Sequence, residues 1–367
     1  MTSVERPKVF GAGLITLDLV MGMAPNSPVR SWAGGTCGNV LSILAYLGWE
    51  AYPITRMNGD PASERVRADM ARWGVRMDFA SCSPTSHTPI IIQEIRRGRD
   101  GSPTHRFSWS CPRCGQWLPR YKAVTVAAID IVTPSLPGIS VFFLDRLSRA
   151  TVTLATRAAA EGAVVVFEPS GKADPKLFAE TIRIAHVVKY ADQRLTSVGG
   201  VMEGDAATLI EIQTLGAKGL RYRHRFGRRA SDWVHLNAVS TPNLADTCGA
   251  GDWCTAGLIA KATLGGQVGL RHSGAEGVRD ALRYGQTLAA WNCGFEGARG
   301  AMYAVDQNSF DHQLETFSSG QHDIIVADTS DDEQDTAIAC PACPQCLPQG
   351  SQRRRTLSRP AKSISAA

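Results

Sequence analysis

Residues 245–252 read ADTCGAGD, and a largely apolar segment follows at residues 253–264. Small residues let backbone N–H groups come close to a ligand, because little side chain stands in the way. A helix that begins just behind the glycines would add the positive end of its dipole. The stretch therefore predicts a backbone cradle for an anion, with the carboxylate of Asp252 beside it.

This pairing of a cradle and a carboxylate suits the transfer of a phosphoryl group. The backbone N–H groups of Gly249, Ala250 and Gly251 would bind the charge that builds on the transferring group. Asp252 would take the proton of an acceptor hydroxyl as general base. The alternative is an ordinary glycine-rich loop whose aspartate caps a helix, so the rest of the chain has to decide.

Composition sets the broad class of the protein. The chain has 367 residues, of which 44% are hydrophobic and 20% charged, as in soluble globular proteins. This length is enough for one large α/β domain or two smaller ones. A formal net charge of +5 is mild and predicts no nucleic-acid partner. Neither a membrane span nor a secretory signal is recognisable, so we expect a cytoplasmic protein whose ten cysteines are thiols or metal ligands.

The middle of the chain alternates between two kinds of pattern. Strand-like runs occur at residues 141–144, 163–167 and 186–190, and helical patterns occur between them at residues 147–161 and 175–184. Such alternation predicts an α/β fold with a doubly wound, mostly parallel sheet flanked by helices. The carboxyl ends of the strands would then meet at one crevice.

A second glycine-rich stretch lies far upstream. Residues 33–39 read AGGTCGN, and a helical pattern that ends at Leu47-Gly48 follows. Gly34 and Gly35 with Asn39 resemble the first signature of the ribokinase-like (PfkB) carbohydrate kinase family, and residues 245–252 resemble its second. The two signatures stand in the family's order, and the resemblance covers residues 8 to about 305. Two signatures in register are far more specific than either alone.

The resemblance implies a kinase domain over residues 1–310 with a small β-sheet lid, whose strands fall within residues 14–35 and 88–120. It implies ATP and Mg²⁺, a sugar-like acceptor, and a family in which K⁺ and homodimers also occur. Its implied acceptor-binding residues are Asp18, Gly34, Gly35, Asn39 and Arg106. Its implied nucleotide-binding residues are Thr214, Gly216, Gly219 and Asn292, and Asp246 would face a monovalent cation.

One stretch departs from the family pattern. After Tyr190 the family usually carries an Asn or Ser and, three residues later, a Glu on the magnesium–phosphate side. This chain has Ala191 and Arg194 at those positions, and Asp192 is the only carboxylate there. Asp192 is the predicted Mg²⁺ ligand if it substitutes for that Glu. A weaker kinase and a different geometry of the phosphate donor are the alternatives.

The cysteines suggest a separate hypothesis. Cys111 and Cys114 have the spacing of half a zinc site, and three cysteines near residues 340–346 could complete it. Free cysteines are the alternative. Residues 311–367 contain an acidic run, these cysteines and three consecutive arginines, which is typical of a flexible tail.

Three functions are compatible with these observations. The first is an ATP-dependent kinase that phosphorylates a hydroxyl of a sugar or sugar-like molecule. The second is a nucleoside kinase of the same fold. The third is a non-catalytic ligand sensor or interaction protein with a cysteine-bound zinc.

Overall fold

The structure is a computed structural model, and it describes residues 6–23, 29–99, 101–111, 114–171, 174–241 and 243–319. Its strands alternate with helices through most of this length. The strands are β1 (Lys8–Ala12), β2 (Thr16–Met21), β3 (Val29–Gly34), β4 (Glu50–Met57), β5 (Ala80–Cys82), β6 (Ile90–Arg97), β7 (Pro103–Ser108), β8 (Val141–Leu144), β9 (Val164–Phe167), β10 (Val187–Ala191), β11 (Ile210–Thr214), β12 (Leu220–His224) and β13 (Val234–Leu236). The α-helices are α1 (Thr36–Tyr46), α2 (Pro61–Arg72), α3 (Ala127–Val132), α4 (Arg149–Ala160), α5 (Pro175–Ile184), α6 (Ala250–Ala262), α7 (Gly266–Asn292), α8 (Gly300–Ala304) and α9 (Phe310–Ser318).

Nine strands form the main sheet, in the order β13-β12-β11-β10-β9-β8-β1-β4-β5. From β11 to β5 every neighbouring pair is parallel, and β12 and β13 are antiparallel additions at one edge. The predicted doubly wound, mostly parallel sheet is therefore confirmed. The carboxyl ends of the parallel strands lie along one edge, where such sheets bind ligands.

Alternate residues of the central strands pack on opposite faces of this sheet. In β8, Val141 and Phe143 join the core beneath α1, α6 and α7, whereas Phe142 and Leu144 join the core beneath α3, α4 and α5. Strands buried on both faces have continuous apolar sequences, and β8 and β9 fit this rule.

Helix starts are fixed by local chemistry that the sequence already carries. Asp60 caps α2 by accepting a hydrogen bond from the Ser63 amide at 2.8 Å, and Pro61 occupies the first turn. Ser148 and Thr151 form a reciprocal capping box at the start of α4. The last long helix, α7, bends at Gly274, where φ is 60° and ψ is −165°. Among the described residues, no helix is long and apolar enough to cross a membrane.

The predicted lid is a separate four-stranded sheet in the order β3-β2-β6-β7. Strand β2 pairs antiparallel with β3 and parallel with β6, and β7 closes the sheet as an antiparallel neighbour of β6. All four strands fall inside the ranges expected from the sequence, residues 14–35 and 88–120. Because β3 leads directly into α1, the lid is joined to the main domain at Gly34 and Gly35.

The structure corrects the predicted start of the tail at residue 311. Helix α9 spans Phe310–Ser318, and it buries Phe310, Leu314 and Phe317. The Phe310 ring lies 5.1 Å from the ring of Tyr46 and 5.3 Å from that of Trp291. The packed domain therefore continues to the end of this helix. The remainder of the predicted tail, from residue 320, lies outside the described residues.

Candidate active site

The glycine-rich loop at residues 245–252 leads into α6, which begins earlier than the apolar pattern suggested. Gly249 precedes the helix in a left-handed conformation with φ of 76°, and a Cβ there would lie 2.2 Å from the carbonyl oxygen of Ala298. Only glycine fits that position. Ala250, Gly251 and Asp252 form the first turn, whose N–H groups have no acceptors within the helix. The predicted combination of small residues and a helix N-terminus is therefore present in the structure.

Asp252 stands in this first turn with part of its surface open. Its Oδ2 accepts a hydrogen bond from Nδ2 of Asn39, at 2.7 Å. Burial of the rest of the carboxyl raises its pKa to about 7, and the charge of Glu168 adds to this rise, whereas the Asn39 hydrogen bond opposes it. A base with such a pKa can take up a proton near neutral pH.

The first signature lies across from Asp252 and is shaped by its two glycines. Gly35 precedes α1 with φ of 77°, and a Cβ on it would lie 2.4 Å from the carbonyl oxygen of Leu14. A Cβ on Gly34 would lie 2.0 Å from Oδ2 of Asp18. The glycines therefore let the Asp18 carboxylate and the start of α1 meet, and this start carries Asn39 toward Asp252.

Asp18 projects from β2 into the same region. Thr16 donates a hydrogen bond to it, and burial raises its pKa to about 6. The positive charge of Arg299 acts in the opposite direction, so the carboxyl stays largely ionised at neutral pH.

A buried ion pair that the sequence reasoning missed lies against the first turn of α6. Lys189 of β10 is 2.6 Å from Oε1 of Glu168, which follows β9, and only 2% of the Lys189 side chain is exposed. Thr255 of α6 donates to the other Glu168 oxygen at 2.7 Å. A Cβ on Gly251 would lie 3.5 Å from Lys189 Nζ. The ammonium group is therefore a positive charge at the wall of the predicted anion cradle.

A second ionic contact lies at the end of the neighbouring strand, β8. Asp145 accepts a hydrogen bond from the Leu14 amide at 2.9 Å and is 2.8 Å from Nη1 of Arg146. Burial raises the pKa of Asp145 to about 6. Gly13 makes this contact possible, because a Cβ there would lie 1.7 Å from Oδ1 of Asp145. The contact joins the main sheet to the segment that enters the lid.

Asp246, the predicted cation ligand, is instead surrounded by hydrogen-bond donors. Its carboxylate accepts from Gln93 at 2.5 Å, from the Gly297 amide at 3.0 Å and from the Cys248 amide at 2.9 Å. His105 Nδ1 lies 3.4 Å from its other side. A cation at this carboxylate would have to displace these donors, so the donor set does not fit a metal ion there.

The contact between His105 of the lid and Asp246 also shows how strand β7, which carries Arg106, is oriented. Alternate residues of a strand point to opposite faces. On β7, His105 reaches Asp246 in the glycine-rich loop, whereas Arg106 is exposed. The acceptor-binding role of Arg106 stays a prediction.

Asn292 occupies a structural position rather than an open one. It is fully buried at the end of α7 and accepts a hydrogen bond from the Ala301 amide at 3.1 Å. Its Nδ2 donates to the carbonyl oxygens of Gly297 and Ala298, at 3.4 and 3.2 Å. The amide thus fixes the turn that packs on Gly249, and it is not available to a nucleotide base.

The other predicted nucleotide residues lie together at the carboxyl end of the sheet. Thr214 ends β11, and the turn after it carries Gly216 and Gly219 with φ of 58° and 88°. A Cβ on Gly219 would lie 2.1 Å from the Leu236 carbonyl oxygen, so this position needs glycine. The Asp192 amide donates to the Thr214 carbonyl oxygen at 3.0 Å, which places Asp192 beside this turn.

The region that departs from the family pattern follows β10. Ala191 ends the strand, and Arg194 is exposed just beyond it. The Arg194 charge lowers the pKa of both Asp145 and Asp252. A positive charge therefore faces the crevice from the position where a Glu was expected.

The predicted zinc half-site is only partly described. Cys111 is buried and Cys114 is exposed, and no group of three or more metal-binding side chains occurs among the described residues. The cysteines of residues 340–346 lie outside them, so the zinc site stays a prediction.

Three charged residues of the site, Glu168, Lys189 and Arg299, were not found from the sequence. Glu168 had a usable signal, because it directly follows a strand whose carboxyl end lines the crevice. Lys189 also had one, since a lysine inside an apolar strand needs a buried partner. Arg299 had none, because its side-chain hydrogen bonds are all to residues more than 200 positions away.

Comparison with known proteins agrees with this geometry. A profile described as pfkB family carbohydrate kinase matches residues 21–303. A fructokinase with bound ATP from Xylella fastidiosa has a TM-score of 0.64 at 18% identity, over 85% of this chain and 99% of that one. Arabidopsis thaliana ribokinase complexed with ribose and ATP has a TM-score of 0.62 at 15% identity, over 84% of this chain and 99% of that one. Aminoimidazole riboside kinase from Salmonella enterica, complexed with aminoimidazole riboside and an ATP analogue, has a TM-score of 0.60 at 20% identity, over 84% of this chain and 99% of that one.

A search of curated proteins gives no match. The solved structures are too distant in sequence to show more than the fold, whereas the family profile spans most of the chain. Together with the two signatures and their meeting at Asp252, the profile match identifies the chain as a member of the PfkB family of carbohydrate kinases.

Proposed function

We propose that this protein transfers the γ-phosphoryl group of ATP to a hydroxyl of a sugar or sugar-like molecule, with Asp252 as general base. The observation that carries the proposal is the hydrogen bond between Asn39 and Asp252, 2.7 Å long, at the N-terminus of α6. It joins the two signatures at one point, which an isolated capping aspartate would not need.

The acceptor would lie between Asp18, Asn39 and Asp252. A carboxylate accepts hydrogen bonds and an amide can both donate and accept, so the set suits a molecule with several hydroxyls. Asp252 would accept the proton of the reacting hydroxyl as the new O–P bond forms. Phosphoryl transfer depends mostly on positioning and electrostatics, so a base held in place by Asn39 meets its main requirement.

The transferring group would lie against the first turn of α6. Backbone N–H groups of Gly249, Ala250 and Gly251 would bind its oxygens, aided by the helix dipole. Lys189 of β10 supports this placement, because its ammonium group lies beside Gly251. Glu168 holds that ammonium group in position through the 2.6 Å contact.

The nucleotide would occupy the edge formed by Asp192, Thr214, Gly216 and Gly219. Mg²⁺ in kinases is held by one or two carboxylates together with substrate phosphates, and Asp192 beside this turn fits such a role. When bound, the metal would neutralise charge on the phosphates. Arg194 would add positive charge at the same edge.

A nucleoside acceptor is the second candidate. One of the similar structures is a riboside kinase, and another, from Burkholderia thailandensis, is a nucleoside kinase in complex with inosine. The residues that face Asp252 would serve the hydroxyls of a free sugar or of a nucleoside ribose equally well.

A panel of acceptors with ADP detection tests the proposal. We expect ATP-dependent ADP formation with at least one sugar, sugar acid or nucleoside, and none without an acceptor. Thermal stabilisation by ATP–Mg²⁺ and a sugar without any ADP formation would contradict catalysis and favour a ligand sensor.

A further inference from the structure

Arg299 lies behind the acceptor region, fully inside the protein, with 1% of its side chain exposed. Its Nε donates a hydrogen bond to Oδ1 of Asn39 at 3.2 Å. The same Asn39 donates to Asp252 from its other amide atom. Arg299, Asn39 and Asp252 thus form one continuous chain of hydrogen bonds.

The chemistry of the three side chains leaves one orientation for Asn39. A guanidinium group can only donate hydrogen bonds, and an ionised carboxylate can only accept them. Asn39 must therefore turn its oxygen to Arg299 and its NH₂ group to Asp252. Without the guanidinium, the amide could rotate by 180° and present its oxygen to Asp252, which would repel the ionised form of that carboxylate.

The guanidinium is itself held in place. Its Nη2 lies 2.9 Å from Oδ2 of Asp69 and also donates to the Ala33 carbonyl oxygen. Asp69 accepts further hydrogen bonds from the Ala33 amide at 2.8 Å and from the Tyr303 hydroxyl. The Tyr303 ring stacks on Trp32 with a centroid distance of 4.2 Å. Planar, multiply bonded arginine keeps its direction better than a flexible lysine would.

We propose that Arg299 is a positioning residue that acts through Asn39 to keep the Asp252 carboxylate ionised and correctly directed. The catalytic consequence rests on the proposed role of Asp252 as base. The side-chain hydrogen bonds of Arg299 go to Asn39, Ala33 and Asp69 and not to Asp252, so its influence runs through the amide of Asn39.

Other titratable and charged groups surround the two ends of the hydrogen-bonded series Arg299–Asn39–Asp252, and a test has to take them into account. Around Asp252 they are Glu168, Lys189 and Arg194, with the thiols of Cys37 and Cys248 nearby. Around Arg299 they are Asp18, Asp69 and Tyr303. Arg299→Lys preserves the positive charge toward these groups while removing the fork that fixes Asn39.

The test is a direct pH titration of Asp252 in the full-length protein. The titration is monitored by ¹³C NMR of protein labelled at the aspartate carboxyl carbon. The signal is assigned by its loss in Asp252→Asn. We expect Asn39→Leu to raise the pKa of Asp252 by about 1 to 2, because the ionised carboxylate loses a hydrogen bond. We expect Arg299→Lys to raise it by about 0.5 to 1, since the amide is no longer held in one orientation.

The double variant decides whether Arg299 acts through Asn39. In Asn39→Leu, adding Arg299→Lys should cause no further rise, because the intermediary is already absent. Arg149→Lys is the matched control: it makes the same change at an arginine that pairs with Glu180 on the exposed surface, so the pKa of Asp252 should stay at its wild-type value. Equal and additive rises from both substitutions, or no rise in Arg299→Lys, would overturn the proposal.

A second variant covers the case in which Arg299→Lys does not fold. Arg299→Met combined with Asp69→Asn removes both charges together, which avoids an unpaired buried carboxylate. It should also raise the pKa of Asp252, and an unchanged value would refute the proposal. Because the titration needs no turnover, a pKa that rises without a matching change in the pH dependence of kcat/KM would refute Asp252 as base while leaving the positioning by Arg299 in place.

Discussion

The substitution Glu168→Gln tests how the site sets the protonation of Asp252. Burial raises the pKa of that carboxyl to about 7, the charge of Glu168 adds to this rise, and the charge of Lys189 opposes it. Removing the negative charge leaves the ammonium of Lys189 without its counter-charge, so both changes act in the same direction. Because a neighbouring charge shifts the pKa of a buried carboxyl by about 1–3, we expect the pKa of Asp252 to fall by at least about 1.

The expected effect on activity follows from the ionised fraction. A base with a pKa of about 7 is roughly 10% ionised at pH 6, and one with a pKa of about 6 is roughly 50% ionised. The general base must be ionised to act, so activity is lost as pH falls through its pKa. Relative to its own plateau, kcat/KM of the variant at pH 6 should therefore be about 5-fold higher than that of the wild type.

The assay is the pH dependence of kcat/KM from pH 5 to 9 with an acceptor identified by the panel. Glu180→Gln is the matched control, because Glu180 also pairs with an arginine, Arg149, but on the exposed surface of α5. Its profile should superimpose on that of the wild type. An acid limb that stays in place or moves to higher pH in Glu168→Gln would refute this account of the site's electrostatics.

Two further substitution pairs separate folding from function. Gly249→Ala should lower the free energy of unfolding by at least about 2 kcal/mol, because it forces alanine into a left-handed conformation against the Ala298 carbonyl. Gly251→Ala should leave stability unchanged in denaturant titrations, because its methyl group would contact only Lys189 and Glu168, at 3.5 and 3.9 Å. The same substitution should lower kcat. Equal losses of stability in the Gly249→Ala and Gly251→Ala variants would contradict the loop geometry. Phe310→Ala should cost about 3 kcal/mol of unfolding free energy with little change in kcat, whereas Val268→Ala on an exposed position of α7 should cost less than about 0.5 kcal/mol. A Phe310→Ala variant as stable as the wild type would mean that α9 does not belong to the packed domain.

The sequence was most informative where backbone geometry demands a particular residue. Gly34, Gly35 and Gly249 each stand where a Cβ would overlap neighbouring atoms, and glycine is visible in the sequence without any structure. The alternation of apolar strands and helices likewise predicted the parallel sheet, because both faces of its strands are buried. These two kinds of signal made Asn39 and Asp252 candidates, and the structure brings the two side chains within 2.7 Å of each other.

The sequence was least informative where a polar side chain serves the fold instead of a ligand. Asp246 and Asn292 lie in the family's motifs, yet their side chains hold the lid and the turn at residues 297–301. Nothing local distinguishes a carboxylate that accepts three internal hydrogen bonds from one that binds a cation.

The central claim is that Asp252 is the general base of a phosphoryl transfer, and Asp252→Asn tests it most directly. The measurement is the rate at which labelled γ-phosphate from ATP appears on the acceptor, with folding checked by thermal unfolding. The account predicts an unchanged fold and a fall in kcat of about 10²- to 10⁴-fold, the usual contribution of a general base. Transfer at the wild-type rate by a folded Asp252→Asn protein would contradict it.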